Sequence, residues 1–221
     1  ALIPTFIIGV GAAVYITEYA RQGILVRVLR FATETLTGTP SVVIGLLCYF
    51  LFTTNFGTGT RWGFSRGAGI VALIILNLPW MLRTAEDALR AVPRETREAS
   101  LALGASKLQT VLRAVLPSAI PGLTTGLVIV IGRIMGESAA LLFAAGEQGA
   151  TTGWFSPQLT HVTGDTLAVH IYALFADNPT PQAYQSQVAT AVVLIVFILL
   201  LNAVTRVIGA AVNRAFSGKR S

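Results

Sequence analysis

Residues Val92 to Pro117 read VPRETREASLALGASKLQTVLRAVLP, a charged and then amphipathic stretch set between long apolar segments. Pro93 suits the first position of a helix, where a missing N–H would have had no partner anyway. Helix formers continue to Leu103, and Gly104 is the residue type that most often ends a helix in a left-handed conformation. Ser106 with Gln109 fits a capping box, so a second short helix should begin at once and run to Leu116, with Pro117 and Pro121 limiting it. Ala99, Ala102 and Leu103, then Leu108, Val111, Leu112 and Val115, recur at helical spacing and give each piece an apolar stripe. Such a helix, turn and helix either docks into a groove on a soluble partner or lies in a membrane surface.

The surroundings are those of a membrane protein. With 221 residues, 53% hydrophobic and 12% charged, and a mean hydropathy of +0.69, the chain lacks the polar surface to cover a water-soluble globule. Measured against the roughly 20 residues a helix needs to cross hydrocarbon, five spans are predicted. They are Leu2 to Thr17, Leu36 to Phe52, Gly67 to Leu82, Ala119 to Ala145 and Val188 to Val204. The net charge of +6 sits at the ends of these runs without interleaved aromatics, which argues for topology signals and against nucleic acid. Thirteen Lys and Arg residues fall in the connections after spans one, three and five; only Arg61 and Arg66 fall on the other side. Cytoplasmic loops retain positive charge, so 92–117 and the C-terminus are expected inside and the 146–187 connection outside. Ala1 then starts outside, and an earlier helix is expected to precede it.

Inside the spans, small residues mark close packing. Gly9, Gly11, Gly45 and the pairs Gly122/Gly126 and Gly132/Gly136 are candidates, the pairs at G-x-x-x-G spacing. Pro79 should kink the third span near Ile75 to Asn77. Cys48 lies in an apolar run and reads as a small core residue; a lone cysteine allows no internal disulfide. His161 and His170 show no metal-ligand pattern. No G-x-x-x-x-G-K-[ST] occurs, so ATP is not expected on this chain through a P-loop, and no H-E-x-x-H or supported nucleophile points to an enzyme.

Glu98, Ala99 and Ser100, then Gly104, then Leu116 and Pro117, resemble the EAA loop of ABC importer permeases, with matching spacing throughout. Ser100 stands where that pattern has a second Ala, and Ala114 where it has Ile. Segments 40–50, 82–93, 132–146 and 167–172 are similar to the corresponding parts of the A-type permeases of phosphate ABC importers, with Ser138 and Ala140 in place of the usual Thr and Pro. The resemblance implies an all-α, polytopic bundle of the type I importer fold in a bacterial or archaeal cell membrane. Residues 1–211 would be a single permease domain and 212–221 a cytoplasmic tail. It implies that the EAA loop enters a cleft of a cytoplasmic ATP-binding subunit dimer, which carries the ATP and magnesium. A sister permease and an extracytoplasmic phosphate-binding protein complete the implied assembly, the acidic residues Glu147, Asp165 and Asp177 offering the latter a contact surface.

Arg133 lies inside an otherwise apolar segment, where an unpaired charge costs roughly 2.5–3.5 kcal/mol at the bilayer centre. Glu137 is one helical turn on, so an ion pair is expected, either fixing helix rotation or tempering an anion path. A planar guanidinium fits phosphate oxygens. Arg83 and Glu86 lie at the inner end of the third span, as a mouth lining or an interfacial anchor. The competing substrates are molybdate, sulfate and phosphonate; the competing class is a passive anion channel, which would need no docking loop.

Overall fold

The computed structural model describes residues 1–21, 23–53, 62–146, 163–177 and 180–217, and every described element is helical. The helices are α1 (Leu2–Val14), α2 (Ile24–Gly38), α3 (Ser41–Thr53), α4 (Arg66–Arg90), α5 (Arg94–Ala102), α6 (Lys107–Thr110), α7 (Leu116–Gly136), α8 (Ala139–Ala144), α9 (Leu167–Asp177) and α10 (Pro181–Ser217). Two π-helical turns, Tyr15–Tyr19 and Val111–Val115, prolong α1 and join α6 to α7. Among the described residues, four continuous helical runs are long and apolar enough to cross a membrane, and the bent pair of α2 with α3 makes up to five.

Three of the expected spans are redrawn. The second is not one helix from Leu36 to Phe52, because α2 and α3 meet at 105° across a break at Thr39 and Pro40. Proline disfavours the α region for the residue before it, so the helix does not run on through Thr39. The fourth begins earlier and ends sooner than Ala119 to Ala145: helix runs unbroken from Lys107 to Gly136, then stops before α8. Pro117 and Pro121 therefore do not end the second docking helix. The π turn lies directly ahead of Pro117, with Leu116 N donating to Val111 O five residues back, and this widened ladder accommodates a ring that would crowd an ordinary turn. The fifth starts at Pro181, and α9 occupies part of what reads as an outer loop. Pro79 is carried within the continuous α4. His161, Glu147, Arg61, Lys219 and Arg220 lie outside the described residues, and the side chains of Asp177 and Arg214 are not described.

The chain packs as two compact units. One comprises Ala1, Leu36–Asn77 and Gly132–Leu199; the other comprises Leu2–Thr35, Leu78–Ile131 and Leu200–Ser221. In the first, Ile44, Cys48, Ala68, Ala72, Leu76, Ala140 and Ala144 form a buried cluster, so Cys48 is the core residue its neighbours predict. Gly45 lets α3 close on α8: a Cβ built there would lie 2.7 Å from Ala140 O. In the second, the Gly122/Gly126 pair sets α7 against α4, with built Cβ atoms 2.6 Å from Ala88 Cβ and 2.5 Å from Thr84 Oγ1. Gly9 packs on Met81 in the same way. Gly11, Gly132 and Gly136 meet nothing within 4 Å, so the second G-x-x-x-G pair is not a packing face within this chain.

Candidate functional site

The 92–117 loop is fixed by its caps. Pro93 is the residue ahead of α5 rather than its first, in extended conformation (φ −57°, ψ 146°). At the other end Gly104 takes φ +84°, Gly104 N donates to Leu101 O (2.9 Å) and Ala105 N to Ser100 O (3.2 Å). These are the paired 5→2 and 6→1 bonds of a Schellman motif, which only a residue tolerant of positive φ completes without strain. Two residues later both halves of the capping box are made, Gln109 N to Ser106 Oγ at 3.3 Å and Ser106 N to Gln109 Oε1 at 2.8 Å. Ser100, which departs from the usual Ala, hydrogen-bonds the buried Thr110 across the turn at 3.0 Å and so ties α5 to α6.

The apolar stripe divides. Val111 and Val115 are buried, whereas Leu101, Leu108 and Leu112 are exposed and Leu103 is 89% exposed. Glu98 and Ala99 are exposed on the same helix as Leu101, and Leu116 and Pro117 are half-buried where the loop runs into α7.

A hub that the sequence reading did not pick out holds this loop. The Arg97 guanidinium donates to Glu18 (Nη2 to Oε1 2.7 Å, Nε to Oε1 3.1 Å and to Oε2 3.3 Å), to Val92 O (2.7 Å) and to Leu89 O (2.8 Å). It thereby ties α5 to the end of α4 and to the π turn after α1. Tyr19, next to Glu18, carries Lys107 Nζ 5.1 Å above its ring. One signal for this was available: Glu18 is the first acidic residue in the chain and ends an apolar span, so it needs a partner. Beside the hub a cleft of about 640 Å³ is lined by Glu18, Arg30, Arg90, Arg94, Arg97 and Glu98 among others. Glu86 serves Arg90 (3.0 Å) and Arg30 (3.9 Å), while Arg83 is exposed on α4.

Arg133 and Glu137 belong to the other unit. Arg133 is exposed on the last turn of α7. Glu137 falls outside α7, which ends at Gly136, so the two do not share one continuous helix as the spacing predicts. The Glu137 carboxylate accepts the Ala140 amide at 3.1 Å and caps the start of α8. That bond needs the N–H that a proline at this position would lack. His170 Nδ1 lies 3.3 Å from Asp165 Oδ2, and burial raises the Asp165 carboxyl above the ordinary range against the opposing pull of that imidazole. Among the described residues no cluster of three or more metal-ligating side chains occurs.

Helices long and apolar enough to cross a membrane flank a capped loop. Residues 6–218 match the family described as the binding-protein-dependent transport system inner membrane component, and the chain belongs to that family. It is 36% identical over 221 residues to the probable ABC transporter permease protein YqgI of Bacillus subtilis (strain 168), covering 96% of this chain and 74% of that one. It is 34% identical over 203 residues to the phosphate transport system permease protein PstA of Yersinia pestis, covering 92% of this chain and 65% of that relative. Among solved structures, an inward-facing conformation of the MetNI methionine ABC transporter superposes with TM-score 0.69 at 21% identity, over 97% of this chain and 88% of that one. An amino acid ABC transporter gives TM-score 0.64 at 17% identity, over 95% and 88%. The expected type I importer permease architecture is therefore present, in a multi-pass membrane protein.

Proposed function

We propose that this chain forms half of the pore of an ATP-driven importer of inorganic phosphate, with a non-identical sister permease as the other half. The observation that carries the coupling role is the capped turn whose Leu101, Leu103, Leu108 and Leu112 stay uncovered. A separate ATPase dimer seats there, on the cytoplasmic side assigned by the thirteen basic residues. ATP and magnesium stay on that partner; closure of its two subunits moves the loop, and the pore passes from outward-facing to inward-facing. An outer binding protein delivers the anion.

Phosphate is favoured over other cargo by the Yersinia relative's name and by Arg133. An exposed guanidinium on an apolar helix is costly against hydrocarbon and well matched to an oxyanion in a water-filled path. Glu137, held on the Ala140 amide, keeps a negative charge close along the chain, which lowers the barrier without trapping the anion. Arg83 is assigned to the same path, near its inner mouth.

The test is ATP-dependent uptake of radiolabelled phosphate in proteoliposomes holding the natural full-length protein, its sister, its ATPase and its binding protein. Sulfate, molybdate and phosphonate are the competitors. Uptake that needs ATP and is abolished by Arg133→Gln, with the ATPase still co-purifying, is the expected result. Uptake of a competitor instead discards phosphate and keeps the machine; phosphate flux without ATP makes the protein a channel; normal uptake by Arg133→Gln removes that residue from the path.

A further inference from the structure

The residues that hold the docking loop to the first span are neighbours in sequence. Glu18 and Tyr19 close the π turn Tyr15–Tyr19, and each grips a different helix of the loop: Glu18 takes Arg97 of α5, and Tyr19 takes Lys107 of α6. The ion pair is well shielded, the Glu18 side chain being 9% and the Arg97 side chain 21% exposed. A guanidinium committed to a carboxylate and to two main-chain carbonyls at 2.7 and 2.8 Å has little rotational freedom, unlike a solvent-exposed pair. Displacement of α5 is thus passed on rather than absorbed by a swinging side chain. Its receiving end is a π turn, a locally widened piece of helix that adjusts more readily than an α turn and recurs at functional sites.

We propose that the π turn Tyr15–Tyr19 is where movement of the docking loop is handed to the first span, with Arg97 as the positioning residue that transmits it and Glu18 as its receiver. The inference rests on the reading that an ATPase seats on the loop. It assigns the first span an active part in the transport cycle, distinct from the connection through α6 and α7, which leaves the loop as continuous helix.

A mere anchor and a transmitter differ in what their loss does. Removing an anchor costs assembly; removing a transmitter leaves the complex assembled and the loop moving while the first span stands still. The experiment uses the full complex with Cys48→Ala and one spin label, placed on α1 through Ile7→Cys or on α5 of the loop through Glu95→Cys, both exposed positions outside the uncovered leucines. Spectra are compared without nucleotide and with ATP and magnesium. In the complex without further substitution, both labels should respond. With Glu18→Gln or Arg97→Gln, the Glu95 label should keep its response and the Ile7 label should lose it, and substrate carried per ATP should fall about tenfold, within the usual range of a coupling interaction.

An undiminished Ile7 response in Glu18→Gln overturns the proposal, as does an Ile7 label that ignores nucleotide in the starting complex. A Glu95 label that ignores nucleotide refutes the ATPase-docking reading itself, and the two failures are thereby told apart. Should Glu18→Gln or Arg97→Gln fail to assemble, Glu18→Asp keeps the charge and shortens the reach, and Lys107→Gln removes only the contact to Tyr19. Each must then reduce the Ile7 response; full-size responses in both refute the handover.

Discussion

Gly126→Ala is expected to destabilise the chain, and Gly132→Ala to leave it unharmed or slightly firmer, although both glycines lie on α7 at the same motif spacing. A Cβ at Gly126 would lie 2.5 Å from Thr84 Oγ1 and 2.9 Å from Thr84 Cβ, whereas at Gly132 nothing stands within 4 Å. Thr84 is not free to step aside, because its hydroxyl donates to Trp80 O at 2.9 Å. Two terms compete. Ala gains about 0.8–1 kcal/mol over Gly in a helix interior. Overpacking a close contact costs about 1–3 kcal/mol. At Gly132 only the first applies, so the two variants should differ by about 1–3 kcal/mol. For a chain of this size that is a separation of about 2–12 °C in apparent melting temperature. The assay is thermal loss of monodispersity of the chain purified in detergent. Thr84→Ala removes Oγ1 and should restore part of the loss in the double variant, with a coupling of about 0.5–3 kcal/mol. Equal shifts for the two glycines, or strict additivity with Thr84→Ala, would refute the packing assigned to α4 and α7.

Three further outcomes follow from the docking loop. Gly104→Ala places a Cβ at φ +84° and should cost about 1–2 kcal/mol, read as faster proteolytic cleavage between α5 and α6. Leu103→Asp, at a residue 89% exposed, should change the stability of the isolated chain by no more than about 0.5 kcal/mol yet abolish co-purification of the ATPase. Ser100→Ala should cost about 1 kcal/mol by stripping the buried Thr110 hydroxyl of its partner, and adding Thr110→Val should cost little more; a second full loss in a thermal melt would contradict the bond.

What the sequence made legible was local. Gly104, Ser106 and Gln109 act within a few residues of one another, so their caps can be read without knowing where the rest of the chain lies. Gly122 with Gly126 and Gly132 with Gly136 are indistinguishable as text, since only the position of α4 decides which pair is used. Proline shows the same divide. Pro40 breaks a run and Pro117 does not, and the difference lies in what precedes each: Thr39 leaves the helix at the first, a π turn widens the ladder at the second. Hydropathy averages over both and reported a straight second span and a late-starting fourth one. Charge was legible as a demand without an address. Glu18 at the end of an apolar span and Arg133 within one both require company, but spacing offers only neighbours, and it gave no sign that the Glu137 carboxylate also takes the amide of Ala140. Arg97, seventy-nine residues from Glu18, was hidden among five other basic residues in the same connection. Its importance comes from one carboxylate and three carbonyls converging on a single guanidinium, a coincidence of three chain segments that no periodicity encodes. Because that convergence joins the loop to the first span, the proposed handover of movement rests on the contact least legible in sequence.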